Sequence, residues 1–306
     1  MKKNRNMLPM LVLILAIGSS LLLLSGCGGG GGSSDGATSS VNGMITGTAV
    51  KGPVSGATVT AFAVNGGVIG AQIGTGTTDA QGNFTMSIGS HSGPVMLRIS
   101  GGSYSDEATG ASVTMQSGDI MTSMMPQSVA GAVMSGVQIT PLTSMAQAMA
   151  QAMSGGMTPA NIEVANAAMG HYFSISDILY THPMNPLTPG SGTGATQDMR
   201  NYGVMLAAMS QYANTTGMPF SSGMVTTMMN DASDGVMNGR MGNTQIMMGG
   251  RGGMMGNNPF PTNAGTSDLA NAMAAFMGSV MNRSGLTIVD MQLLHDKMAA
   301  SNGQIR

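Results

Sequence analysis

The stretch Gly47–Val64, "GTAVKGPVSGATVTAFAV", decides the first half of the fold. From Ala57 onward Ala57, Val59, Ala61 and Ala63 face one way and Thr58, Thr60, Phe62 and Val64 the other, which is the two-residue period of a β-strand. Gly52-Pro53 breaks the chain before it and marks a turn. Working outward, "MITGTAV" (Met44–Val50) precedes this strand, and "GNFTMSI" and "PVMLRIS" follow it at short spacing. Between them, "TTDAQGNF" (Thr77–Phe84) reads as a tight hairpin: Asp79 closes an Asx turn, Gly82 takes a positive φ, and Phe84 returns to the core. Residues 41–116 are therefore expected to form a small β-sandwich.

From Thr140 the period becomes helical. Thr140-Pro141 supplies an N-cap and a proline at the first helical position, with Leu142, Met145, Met149 and Met153 on one face. Thr158-Pro159 repeats the signal ahead of Ile162, Ala165, Met169 and Phe173. Residues 197–213 carry the stripe Met199, Tyr202, Leu206, Met209 and Tyr212. Ser267-Asp268 starts a further helix through Met281 on Leu269, Met273, Phe276, Met277 and Val280, and a last helix spans about 288–300. The fold class is thus α+β and multidomain: a sandwich, a connector over 117–139, and an α-helical bundle over 140–234 completed by 266–306.

The first segment resembles the carboxypeptidase regulatory-like, transthyretin-like β-sandwich module, through "GTAVKGPVSGATVTAFAV", "GTTDAQGNFTMSIG" and "GPVMLRISGG". The resemblance covers about a quarter of the chain and implies a fold; modules of this kind serve as stalks, spacers and sugar- or protein-binding units. No metallopeptidase domain accompanies it. Lys51 and Glu107 also invite comparison with the lysine and acid of isopeptide cross-links in related collagen-adhesin B-type domains. Lys51 opens a Gly-Pro turn, however, and no final-strand asparagine completes the trio, so a solvated lysine is expected. The adjacent Asp106 and Glu107 are too few carboxylates for a calcium site and read as a surface turn.

Ahead of the sandwich, "MKKNRN" and the apolar run Met7–Leu24 have the layout of a signal peptide over residues 1–26. Leu24-Ser25-Gly26-Cys27 resembles the lipobox of bacterial lipoprotein signal peptides. That resemblance implies a diacylglycerol thioether on Cys27, cleavage before it, and fatty acylation of the palmitate type. Cys27 is the chain's only cysteine, so it has no disulfide partner. Two or more acyl chains give stable membrane anchoring. Residues 27–40, "CGGGGGSSDGATSS", form a Gly/Ser tether. Gly28 stands where inner-membrane lipoproteins commonly carry aspartate, which implies the outer membrane. The sandwich together with "SYSDEATG", "ITPLT" and "DILYTHP" is also similar to a group of uncharacterised bacterial outer-membrane lipoproteins, to which no reaction attaches.

Only 8% of the 306 residues are charged and the formal net charge is −2. Ser, Thr, Asn, Gln and Gly must cover the surface, and nothing here makes a nucleic-acid footprint. Catalytic signatures are scarce. His171, Asp177 and His182 could frame a cleft acting on an envelope polymer, but no nucleophile accompanies them.

Methionine is the unusual residue, with 35 copies. Those on helical stripes read as core. Residues 235–265 are too glycine-rich for a stable helix and read as a Met/Gly-rich loop. Its Met237, Met241, Met247, Met248, Met254 and Met255 make a soft thioether set suited to Cu(I). The leading expectation is a non-enzymatic, lipid-anchored envelope protein that binds an envelope protein or polysaccharide or plays a structural part. Soft-metal binding and a polymer-acting enzyme are the alternatives, and no other cofactor is expected.

Overall fold

The computed structural model describes residues 42–248 and 258–306. The signal peptide, Cys27, the tether, Met254 and Met255 lie outside those residues. β1 (Met44–Ala49), β2 (Thr58–Asn65), β4 (Asn83–Ser87) and β5 (Gly93–Ser100) form where strand periodicity predicts them, and β3 (Val68–Thr77) is a further strand that the sequence pattern does not announce. The Asp79 turn is as expected: its carboxylate accepts the Gln81 and Asn83 N–H groups at 2.9 and 2.8 Å, Gly82 sits at φ +81°, and Phe84 is buried.

A short hairpin follows, β6 (Ser103–Ser105) with β7 (Ser112–Thr114), and then β8 (Ile120–Ser128) and β9 (Val133–Ile139). The connector expected over 117–139 is therefore mostly strand, supplied by β8 and β9. β9 pairs in parallel with β1 in a three-stranded sheet of order β4-β1-β9, while β8 is the edge of a four-stranded sheet of order β3-β2-β5-β8. Side chains from both sheets share one apolar cluster, including Ile45, Phe84 and Val137 from the first and Val59, Leu97, Ile99 and Met125 from the second.

The helices are α1 (Pro141–Ala152), α2 (Pro159–Tyr172), α3 (Gln197–Thr215), α4 (Ser221–Ala232), α5 (Ser267–Met277) and α6 (Gln292–Ala299), the last preceded by a 3-10 turn at Ile288–Met291. α1 starts as its sequence says: the Thr140 hydroxyl accepts the Thr143 N–H, and the Thr143 hydroxyl accepts the Thr140 N–H, a reciprocal cap. α5 stops at Met277 instead of reaching Met281, and Val280 is 85% exposed. α4 was not expected from the sequence.

The four-stranded sheet has helices on its second face. Val64, Met96 and Met124 project into the helical core with Leu142, Met145, Ile162 and Met169. Val64, and Phe62 in part, are thus buried on the face opposite Val59, Ala61 and Ala63. At the free edge, α1 takes up the unpaired backbone of β8: Thr122 N–H donates to Ser144 Oγ at 2.9 Å, and Thr143 Oγ1 donates to the Thr122 carbonyl at 2.7 Å. An edge so covered cannot pair with a second chain. Sheets and helices form one compact unit, a mixed α and β body in place of two separate domains.

The segment 235–265, expected to be a loop, carries short strands among its described residues. It contains the pairs β10 (Arg240–Met241) with β11 (Thr244–Gln245) and β12 (Met247–Met248) with β13 (Asn258–Pro259).

Candidate functional site

The densest polar chemistry lies where the β6–β7 hairpin meets α3 and α4. Gly52 holds φ +57°, and a Cβ there would come 2.2 Å from the Ser105 carbonyl oxygen, so only glycine lets the Lys51 turn lie against the hairpin. Lys51, 1% exposed, donates to Glu107 Oε2 at 2.9 Å and to Ser210 Oγ of α3, and its ammonium lies 5.3 Å from the centre of the Tyr104 ring. Glu107 Oε1 accepts the Gly52 N–H at 2.7 Å, and Ser210 Oγ donates to Oε2.

Asp106 extends the network towards α4. Its Oδ1 accepts the Ala108 and Thr109 N–H groups at 3.1 and 3.0 Å, and its Oδ2 accepts the Ser221 hydroxyl. Ser221 also contacts the Tyr104 hydroxyl at 3.1 Å, which accepts the Ser222 N–H, and Ser222 Oγ donates to Asp119. The solvated lysine and the surface turn expected at these positions are both overturned: Lys51, Asp106 and Glu107 are buried. Opposite charge and complete hydrogen bonding are what make their burial tolerable.

Chemically this network is a clamp. Burial alone pulls the Lys51 ammonium down, but the charges of Glu107, Tyr104 and Asp106 outweigh it and the net shift is upward. The amine therefore stays protonated and is no nucleophile at neutral pH. Lys51, Tyr104, Asp119, Ser222 and Val225 leave no volume for a water molecule between them.

A second anchor holds the start of the methionine-rich segment. Asp231 is completely buried on α4, and its Oδ1 accepts the N–H groups of Asn238, Gly239 and Arg240 at 2.9, 2.6 and 3.2 Å. Its Oδ2 has no hydrogen-bond partner among the described residues. Burial pushes its pKa up to about 7 against the opposing pull of the three N–H groups.

Sequence-singled residues fare differently. Met237 is core, 1% exposed, and Met248 is buried too; both belong to the helical apolar cluster, so neither is free to ligate copper. Met247 is half-buried and Met241 exposed. The cleft trio does not assemble: the Asp177 carboxylate caps its own turn through the Leu179 and Tyr180 N–H groups, and His171 and His182 form no hydrogen bond with it or with each other. Burial lowers the His182 pKa. Among the described residues no group of three or more His, Cys, Asp or Glu side chains could hold a metal ion.

Sequence reasoning passed over Asp119, Ser210, Ser221, Ser222 and Asp231. Ser210 carried a readable signal, since it falls one turn after Leu206 on the apolar stripe of α3, where a serine needs a partner.

Comparison with known proteins adds little. No family model matches the chain, and no curated protein matches it. A 9R-lipoxygenase from Cyanothece PCC8801 superposes with a TM-score of 0.22 at 10% identity, over 62% of this chain and 24% of the lipoxygenase chain. The chain thus spans about a quarter of that protein, and a score at this level carries no argument about fold or activity.

Proposed function

We propose that this chain is a lipid-anchored envelope protein whose body, a transthyretin-like β-sandwich fused to an α-helical layer, has a structural or partner-binding role without catalysis. The observation that carries the reading is Leu24-Ser25-Gly26-Cys27, set behind an apolar run and ahead of a Gly/Ser tether. Acylation of Cys27 would supply the membrane attachment, since no helix among the described residues is long and apolar enough to cross a membrane. Gly28 favours the outer membrane. The body supports a non-catalytic role because its strongest polar cluster is consumed internally and closed to water. The test is Cys27→Ala in cells fed radiolabelled palmitate. Label and processing of the precursor should both be lost, and a variant that is still cleaved and membrane-retained would refute the anchor.

A further inference from the structure

The two lysines among the described residues are opposite cases. Lys51 is neutralised by Glu107, whereas Lys297 of α6 has no acidic partner: its ammonium donates to the His171 carbonyl and, at 3.0 Å, to Ser174 Oγ, both uncharged acceptors. Burial holds the Lys297 pKa below the ordinary lysine value, and no Asp or Glu among the described residues offsets it. The neighbouring Asp296 is turned to Gln292 and His295, at 2.7 and 3.1 Å.

Lys297 lines a half-open cavity of about 240 Å³ together with His171, Tyr172, Asn302, Gln304 and Arg306, and no Asp or Glu side chain lines it. Its donors are in excess. Asn302 uses its carbonyl oxygen on the Gln304 N–H and so turns its amide N–H groups free, and the Gln304 side chain and the Arg306 guanidinium have no partner among the described residues. The Tyr172 hydroxyl is committed to the Gly265 carbonyl and to Ser301, which fixes the wall.

We infer that this cavity is a binding site for a phosphate monoester, held by Lys297 and Arg306 with the Asn302 and Gln304 amides and His171 around it. Lys297 and Arg306 supply positive charge towards a phosphate dianion, and three terminal oxygens can use more of these donors than the two oxygens of a carboxylate. Arg306 contributes the planar fork suited to phosphate, and Lys297 a point charge. The volume lies below the ~300–1,000 Å³ of sites that engulf a whole small molecule. The cavity therefore takes the phosphate head and leaves the remainder of the ligand outside. That head could belong to a soluble phosphorylated compound or to a lipid.

Calorimetric titration of the full-length chain in detergent separates these sources, with inorganic phosphate, dihexanoyl phosphatidic acid and acetate as probes. Saturable binding of phosphate is expected, with acetate at least about tenfold weaker. Equal affinity for phosphate and phosphatidic acid assigns a soluble ligand, and tighter binding of phosphatidic acid assigns a lipid headgroup. Lys297→Met and Arg306→Gln should each weaken binding about tenfold or more. Arg306→Gln disturbs no internal hydrogen bond and keeps the test valid if Lys297→Met fails to fold. Absence of saturable binding, acetate as tight as phosphate, or full affinity in Arg306→Gln would overturn the assignment.

Discussion

Replacing Lys51 with methionine tests the clamp most directly. The side chain keeps its length and apolar stem but loses the ammonium that faces Glu107 at 2.9 Å. Glu107, 2% exposed, retains the Gly52 N–H at 2.7 Å and the Ser210 hydroxyl, yet carries an unpaired buried charge with Asp106 beside it. Removing one partner of a buried pair costs about 3–5 kcal/mol. For a body of this size that corresponds to a fall in melting temperature of about 6–20 °C. Lys51→Met/Glu107→Gln should recover most of the loss, because glutamine still accepts from Gly52 and neither position leaves an unpaired charge behind. Thermal and urea unfolding followed by circular dichroism at pH 7 gives both numbers. The pH dependence has a defined sign. A lysine raised in the folded state contributes stability that is complete below its ordinary value of 10.5 and is lost as pH climbs through the higher folded value. The single variant should lack that alkaline loss. A single variant within about 1 kcal/mol of the parent, or a double variant no better than the single, would refute the assignment of a tight ion pair.

A fragment of residues 41–116 lacks β8 and β9, hence an edge strand of one sheet and the parallel partner of β1 in the other; it should be unfolded by circular dichroism, whereas 41–306 should melt cooperatively. Asp231→Asn should remove a pH effect: a carboxyl raised from 3.8 to about 7 makes the folded state most stable below pH 4, less so as pH rises to 7 and constant beyond, with a slope of up to about 1.4 kcal/mol per pH unit that the variant lacks. Equal slopes in urea titrations of parent and variant between pH 4 and 7 would contradict this. Met248→Leu should leave anaerobic Cu(I) uptake unchanged, since the core holds Met248 out of reach. A stoichiometric loss in that variant would instead place Met248 in a copper site.

How much of this was legible depends on how many faces an element buries. β4 buries one face cleanly, and β2 does so over Thr58–Ala61, enough for the two-residue period to stand out, while the Thr140 and Thr158 caps announce α1 and α2. β8 is buried on both sides, with Met121 and Met125 in the inter-sheet cluster and Met124 in the helical one, so "DIMTSMMPQ" shows no alternation and reads as a connector. α4 begins on Phe220 without a side-chain cap and contains glycine and β-branched residues, which leaves no start signal. The polar seam was illegible for a different reason: Lys51 and Ser210 are 159 residues apart, and no local pattern links them.

Low charge content makes the seam more informative than its size suggests. In a chain with 8% charged residues, Lys51, Asp106, Glu107, Asp119 and Asp231 are all buried, and four of the five join segments distant in sequence. Apolar contacts among methionines are permissive, because the side chain is flexible and fills many shapes. A core so rich in methionine therefore tolerates small slips of helix against sheet. A buried ion pair does not, since displacing α3 by one turn would part Ser210 from Glu107 and leave polar groups unpaired at about 1–3 kcal/mol each. On this argument methionine supplies the bulk of the burial and the few internal charges fix the register, so variants that neutralise Lys51 and Glu107 together should keep their stability while broadening the side-chain NMR signals of α3 and α4.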